Sequence, residues 1–182
     1  MRAAKLSVIL LLIGLLAACG FKLRGSAELP GYKLPFATIA LSLAPTSEFY
    51  AQLKRTIEAS SPGTRVVDVK EADAVLTVLS DTSQKIILSL NAAGRTVEFQ
   101  LLRTFVFRVH SNTALASAGP PVEYIAPTSI TVRRDITFSD DLVLSKESEE
   151  VLLQRDMQSD LVQQLMRRLA VAKAQPVKVD AE

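Results

Sequence analysis

One cysteine, one histidine and no tryptophan occur in the 182 residues of this chain. Counting alone removes whole classes of chemistry. A structural zinc site needs four Cys or His ligands and a disulfide needs two cysteines, so this chain can build neither by itself. P-loop and G-x-G-x-x-G phosphate cradles are missing, and so is a G-x-S-x-G nucleophile elbow. His110 is the sole imidazole available to a catalytic triad, and it ends a strand-like run. Aromatic residues make up 5%, too few to form a platform for stacked bases. The paired carboxylates Asp140-Asp141 and Glu149-Glu150 sit at a loop and a helix start, where they serve as partners of the helix dipole. The expectation is a protein with no catalytic residues, no metal and no cofactor.

The single cysteine sits in a telling place. Arg2 and Lys5 precede an apolar run from Leu6 to Leu16, and Ala17-Ala18 lead into Cys19. A basic head, a short apolar middle and a small-residue exit describe a secretory signal peptide over residues 1–18. The middle is shorter than the roughly 20 residues of a membrane span. Leu16-Ala17-Ala18-Cys19 resembles the bacterial lipobox, which implies cleavage before Cys19 and covalent N-acyl and S-diacylglycerol chains on that residue. Several acyl chains together give a stable membrane hold. Gly20 stands where an aspartate would imply retention at the inner membrane, so the expected location is the outer membrane, with the folded body facing the periplasm. The precursor carries 21 Lys and Arg against 19 Asp and Glu; losing Arg2 and Lys5 leaves 19 of each. A neutral mature chain has no electrostatic case for binding nucleic acid.

Residues 19–35, with Gly20, Gly25, Pro30, Gly31 and Pro35, read as a lipidated tether, 36–172 as one domain, and 173–182 as a frayed tail. Phe36 to Leu43 alternates like a half-buried strand. From Thr46 to Ala59 the recurrence of Phe49, Leu53 and Ile57 predicts an amphipathic helix, stopped by Ser61-Pro62-Gly63. Thr64 to Val69 is a short second strand. Two long strand-like runs then flank Asn91-Ala92-Ala93-Gly94, a four-residue hairpin turn in which Leu90 faces Arg95. That register places Leu88 opposite Val97, Ile86 opposite Phe99, Val78 opposite Phe107 and Leu76 opposite Val109, all on one face. It sends Lys85 with Gln100 and Asp81 with Thr104 to the other face. It also leaves Thr82 facing Arg103 and Gln84 facing Leu101 within the apolar set.

A last strand from Val122 to Phe138 keeps Val122, Tyr124, Ile130, Val132, Ile136 and Phe138 on one parity, with Pro127 marking an edge or bulge. A helix begins near Ser145, with Glu147, Glu149 and Glu150 at its start and Arg167 and Arg168 at its end. Its stripe is Met157, Leu161, Leu165 and Leu169. The order describes an α+β fold: a two-layer sandwich whose mixed, mostly antiparallel sheet of about four long strands carries two helices on one face. The other face holds Lys85, Gln100, Thr104, Arg108 and Arg133, with Glu98 and His110. It is either an ordinary solvated face or a surface laid against another protein. Between Gln84 and Phe138 six basic residues stand against three acids, and between Ser139 and Asp160 seven acids against two bases. This partition serves charge balance within the fold or phosphate binding beside apolar strands.

Three stretches together carry a resemblance: Cys19-Gly-Phe-Lys-Leu-Arg-Gly25 after the lipobox, Asn91 to Leu101 at the hairpin, and Leu144 to Leu169 in the closing helix. They resemble the LPS-assembly lipoprotein LptE (RlpB) family. The resemblance implies an α/β sandwich anchored in the outer membrane through Cys19. It also implies lipopolysaccharide binding and a place inside the lumen of an LptD-type β-barrel, whose assembly such proteins assist and which they plug. Lys146 falls where the family has a lysine implicated in lipopolysaccharide binding. The family's second such basic position corresponds here to Ala92, with Arg95 as the neighbouring candidate. The alternatives are an accessory lipoprotein of another envelope lipid transporter and, further off, a periplasmic hydrolase.

Overall fold

The computed structural model of the chain describes residues 33–112, 122–137, 143–173 and 175–176. Cys19, the leader, Phe138 and Asp140-Asp141 lie outside the described residues. In chain order the elements are β1 (Thr38–Ser42), α1 (Glu48–Ser60), β2 (Arg65–Val66), a single 3-10 turn (Val69–Glu71), β3 (Ala74–Leu90), β4 (Thr96–Ser111), β5 (Val122–Thr137), α2 (Val143–Ala170) and β6 (Gln175–Pro176). They form one mixed sheet of order β2-β1-β3-β4-β5-β6. β1 runs parallel to both of its neighbours, and the remaining pairs are antiparallel. The expected sandwich is present, with three strands of 16–17 residues dominating the sheet.

Local chemistry explains the helices. Ser47 caps α1 by accepting a hydrogen bond from the Tyr50 N–H at 3.1 Å, which starts the helix just past the expected Thr46. Phe49, Leu53 and Ile57 are buried, as their spacing requires. Met157, Leu161, Leu165 and Leu169 of α2 are buried too, joined by Val162 and Met166. Because α2 starts at Val143, the carboxylates of Glu147, Glu149 and Glu150 fall beyond its first turn rather than within it. Phe105 and Phe107 stack in the core at 5.7 Å between centroids, and Phe49 meets Phe105 edge-on at 5.4 Å.

β1 departs from simple alternation. Ile39, Ala40 and Leu41 are all buried. The strand is internal to the sheet, and Ala40 joins Ala72 and Val75, with Val67 packed on them, in a small cluster separate from the main core. Two residues of the expected tail, Gln175 and Pro176, pair with Glu123 and Val122 as β6.

The hairpin register agrees with expectation at the base and differs above it. Leu76 faces Val109 and Val78 faces Phe107, but Ser80 then faces Val106, so Leu79 is an extra residue on β3. This β-bulge changes which residues share a face. Beyond it, Lys85 faces Leu101 instead of Gln100, Asp81 faces Phe105 instead of Thr104, and Ile86 faces Gln100 instead of Phe99. Arg103 faces Ser83 rather than Thr82, and Gln84 faces Leu102 rather than Leu101. Further shifts around Ser89 remove the Leu88–Val97 pair.

The turn is tighter than expected. The Asn91 N–H donates to the Arg95 carbonyl at 2.8 Å and the Gly94 N–H to the Asn91 carbonyl at 2.9 Å, so Ala92-Ala93-Gly94 is a three-residue loop. Gly94 has φ +75°, the left-handed conformation that such loops need in their third position. On the far side of β4, Phe107 faces Thr128 whereas Val109 faces Ile125, which places an irregularity at Pro127 as anticipated.

Candidate functional site

The polar face of the sheet is built from alternate residues of β4 and β5. The Gln100 amide donates to Asp135 at 2.9 Å, Thr104 and Thr131 hydroxyls lie 3.5 Å apart, and Arg133 sits opposite Leu102. Near the base, His110 Nε2 is 3.0 Å from the Thr77 hydroxyl and its Nδ1 is 2.8 Å from the Ser111 carbonyl. An Nδ1–H donating to that carbonyl leaves Nε2 to accept from Thr77, so the ring is held as a strand-end structural group. Arg108 belongs to the same face, and its buried Nε makes no hydrogen bond among the described residues. Gln100, Thr104, Arg108 and Arg133 therefore share one surface. No group of three His, Cys, Asp or Glu among the described residues is placed to hold a metal ion.

Lys85 does not share that surface. The bulge at Leu79 turns it toward the helices, where its Nζ lies 2.5 Å from Glu150 of α2 and 4.5 Å from the Phe99 ring centre. Arg103 also faces the helix layer. It binds Asp81 through two parallel hydrogen bonds of 2.9 and 2.7 Å, with its guanidinium 5.0 Å from the Phe49 ring centre. Arg134 of β5 reaches Asp156 at 2.8 Å and Asp160 at 3.4 Å on α2. The hydrogen bond to Asp156 holds the Arg134 pKa above its ordinary value, against the opposing pull of burial. The basic sheet and the acidic helix are thus matched by ion pairs across the two layers, and those cations are occupied within the fold.

The two candidates for lipopolysaccharide contact lie at the turn and in the first part of α2. Arg95 closes the hairpin loop, its N–H donating to the Asn91 side-chain oxygen at 3.0 Å. Lys146 is paired with Glu149 at 2.7 Å, its side chain 17% exposed. The same two elements, β3 leading into the turn and α2, also carry exposed apolar side chains. Ile86, Ile87, Leu88 and Leu90 of β3 are exposed, as are Val151 and Leu152 of α2. A groove of about 470 Å³ lies between the β3–β4 hairpin and α2, lined by Ser83, Gln84, Lys85, Glu150, Val151 and Gln154 among others. The bulge that arranges this region has no local signature beyond a hydrophobic residue falling out of phase. No described helix is long and apolar enough to cross a membrane.

The comparisons with known proteins agree with this architecture. Residues 36–169 match the family described as "LptE: Lipopolysaccharide-assembly". The chain is similar to the LPS-assembly lipoprotein LptE of Pectobacterium atrosepticum, 30% identical over 84% of this chain and 77% of that protein. It is 29% identical to the protein of the same name from Yersinia enterocolitica, over 94% of this chain and 79% of that one. Among solved structures, lipoprotein B of Nitrosomonas europaea superposes with a TM-score of 0.65 at 29% identity, covering 83% of this chain and 90% of that one. A minor lipoprotein of Acinetobacter baumannii shares the fold, with a TM-score of 0.61 at 23% identity over 79% of this chain and 99% of that one. The match begins at the strand that opens the sheet and ends on the last buried leucine of α2, so it takes in both layers and the hairpin between them. The chain is a member of the LptE family of lipopolysaccharide-assembly proteins, a non-enzymatic family.

Proposed function

We propose that this protein is an outer-membrane lipoprotein of the lipopolysaccharide translocon. Acyl chains on Cys19 hold it to the membrane, and its folded body sits in the lumen of an LptD-type β-barrel. There it assists assembly of the barrel, plugs it and binds lipopolysaccharide on the way to the outer leaflet. The observation that carries this reading is the family match across the whole folded body, residues 36–169. Support comes from the polar sheet face formed by Gln100, Thr104, Arg108 and Arg133, on whose β5 side Thr131, Arg133 and Asp135 are exposed. The buried Arg108 Nε on that face, which makes no hydrogen bond among the described residues, is a donor that a partner's acceptor would satisfy.

Purification of the native, lipid-anchored chain in mild detergent is the direct test. A single large β-barrel is expected in stoichiometric amount; a chain that elutes alone refutes the reading, and recovery of a different lipid transporter replaces it. Cys19→Ala should abolish labelling with radioactive palmitate, and persistent labelling would place the anchor elsewhere.

Lys146 and Arg95 are the proposed phosphate contacts. A lipid phosphate would displace Glu149 from Lys146, exchanging one charge-assisted bond for another. The double change Lys146→Glu with Arg95→Glu should weaken lipopolysaccharide binding by about tenfold or more. Its thermal unfolding should change little, because partly exposed ion pairs contribute at most about 1 kcal/mol. Equal affinity of the double variant and the parent in a lipopolysaccharide-binding titration would remove both residues from the site.

A further inference from the structure

The two outer edges of the hairpin-and-β5 sheet are finished differently, and the difference indicates where a partner docks. β5 is guarded. It carries Pro127 and the charged run Arg133-Arg134-Asp135, and α2 lies along it through Arg134 with Asp156 and Asp160 and through Arg168, which donates to Thr128 at 2.8 Å. These are the devices by which proteins keep an edge strand from pairing with another chain.

β3 lacks them over most of its length. β1 covers β3 only from Ala74 to Thr77. From Leu79 to Leu90 no described strand pairs with that edge. This stretch contains no proline, and its two charges, Asp81 and Lys85, are paired inward with Arg103 and Glu150. Leu79, Ile86, Ile87, Leu88 and Leu90 are exposed along it. The groove on the helix side, walled by Val151 and Gln154, leaves room for side chains projecting from an additional strand.

We infer that the Leu79–Leu90 edge of β3 receives one extended, uncharged polypeptide strand from the barrel partner, which thereby continues the sheet. This rests on the translocon reading of the protein. The ladder chemistry fixes the class of ligand. Open N–H and C=O groups that recur about every 7 Å along one line are matched by an extended backbone and not by an acyl chain or a phosphate. The edge has no unpaired charge to attract an ionic segment. On the polar-face side it presents Ser80, Thr82 and Gln84, then Ile86 toward the tip. The incoming strand is polar where it passes the first three and apolar nearer the turn. Its far edge then continues the face that carries Gln100, Thr104 and Arg133.

Amide hydrogen exchange by NMR tests this on the full lipid-anchored chain, alone and in complex with the co-purified barrel, both in detergent micelles. Between Ser80 and Ile87 the pairing with β4 is uninterrupted, so successive N–H groups point alternately to β4 and to the open edge. In the isolated chain the outward set exchanges fast. In the complex that set is expected to slow at least tenfold, while the inward set is slow in both. A complex whose outward amides still exchange as in the free chain overturns the strand and leaves the translocon reading standing. Failure to form any complex overturns both. Protection that appears in the isolated chain, rises with its concentration and accompanies a dimer mass assigns the edge to a second copy and also overturns the proposal. As a second measurement, Ile86→Pro and Ile87→Pro remove neighbouring N–H groups that point opposite ways. One should lower the melting temperature by losing a β4 bond. The other should leave it within a few degrees and still reduce barrel recovery at least tenfold; full recovery with both would contradict the proposal.

Discussion

Between Ala74 and Val78 the β3–β4 hairpin belongs to the core, with Leu76, Phe107 and Val109 fully buried; between Ser80 and Leu90 β3 is mostly exposed, Ile87 to 55% and Leu90 to 57%, while β4 beside it still buries Leu101 and Phe105. Four of the five β3 residues from Ala74 to Val78 are apolar, against four of the eleven from Ser80 to Leu90, and the cover differs as well. The base has β1 on one edge, both helices above it and the Ala40–Ala72–Val75 cluster behind it, whereas the distal half of β3 has α2 on one side, with α1 reaching only β4 through Phe49, and an edge that no described strand pairs. The base supplies stability, and the distal half offers surface at a correspondingly small stability contribution.

The sharpest contrast comes from truncating the aromatic core beneath the bulge. Phe107→Ala removes a fully buried ring that stacks on Phe105, and should cost about 3–5 kcal/mol. Ile87→Ser in the exposed half should cost within about 0.5 kcal/mol. Urea unfolding of the chain beginning at Gly20 reads both; similar losses would mean that the distal half is packed in solution. That shortened chain is itself expected to fold cooperatively.

A middling effect is expected where the distal half touches the helices. Asp81→Ala leaves Arg103 against Phe49 without its carboxylate, and Lys85→Ala frees Glu150. Each should cost about 0.5–1 kcal/mol, since all four groups retain some access to water. A double-mutant cycle of Lys85 with Glu150 giving no coupling would show that the tip is not tied to α2.

The smallest effect is the most specific one. Deleting Leu79 removes the extra residue without moving any other pair, so Ser80 still faces Val106 and Lys85 still faces Leu101. Stability should change by less than about 1 kcal/mol, and the cross-strand NOE pattern of the distal half should be retained. A strand that re-registers to put Lys85 opposite Gln100 would show that the bulge is not what decides the faces.

Leu79 also marks the boundary of what could be read without a fold. Unbroken alternation from Leu76 to Leu90 places Lys85 on the polar face, and a single inserted residue reverses it. The four-residue turn was a smaller miss of the same kind: Asn91 bonds its own loop through both carbonyl and side chain, which shortens the loop by one. By contrast Gln100, Thr104, Arg108 and Arg133 share a surface as expected, because β4 keeps its own alternation through Val109 and pairs with β5 in step between Glu98 and Phe107. Of the proposed lipopolysaccharide contacts, Lys146 was visible as a residue type at a position, but its engagement with Glu149 follows from helical spacing together with the observed rotamers.

By itself the sequence determined the helices, their buried stripes, the existence of a long hairpin and its register at the base. Each of these depends on contacts a few residues apart, or on a periodicity that repeats locally. The tertiary structure alone decided that β1 lies parallel between β2 and β3, that the charges of sheet and helix neutralise one another, and which edge is covered. Those outcomes depend on which distant segments meet. Register accumulates every bulge along a 17-residue strand, and burial is set by the neighbour that arrives from elsewhere in the chain.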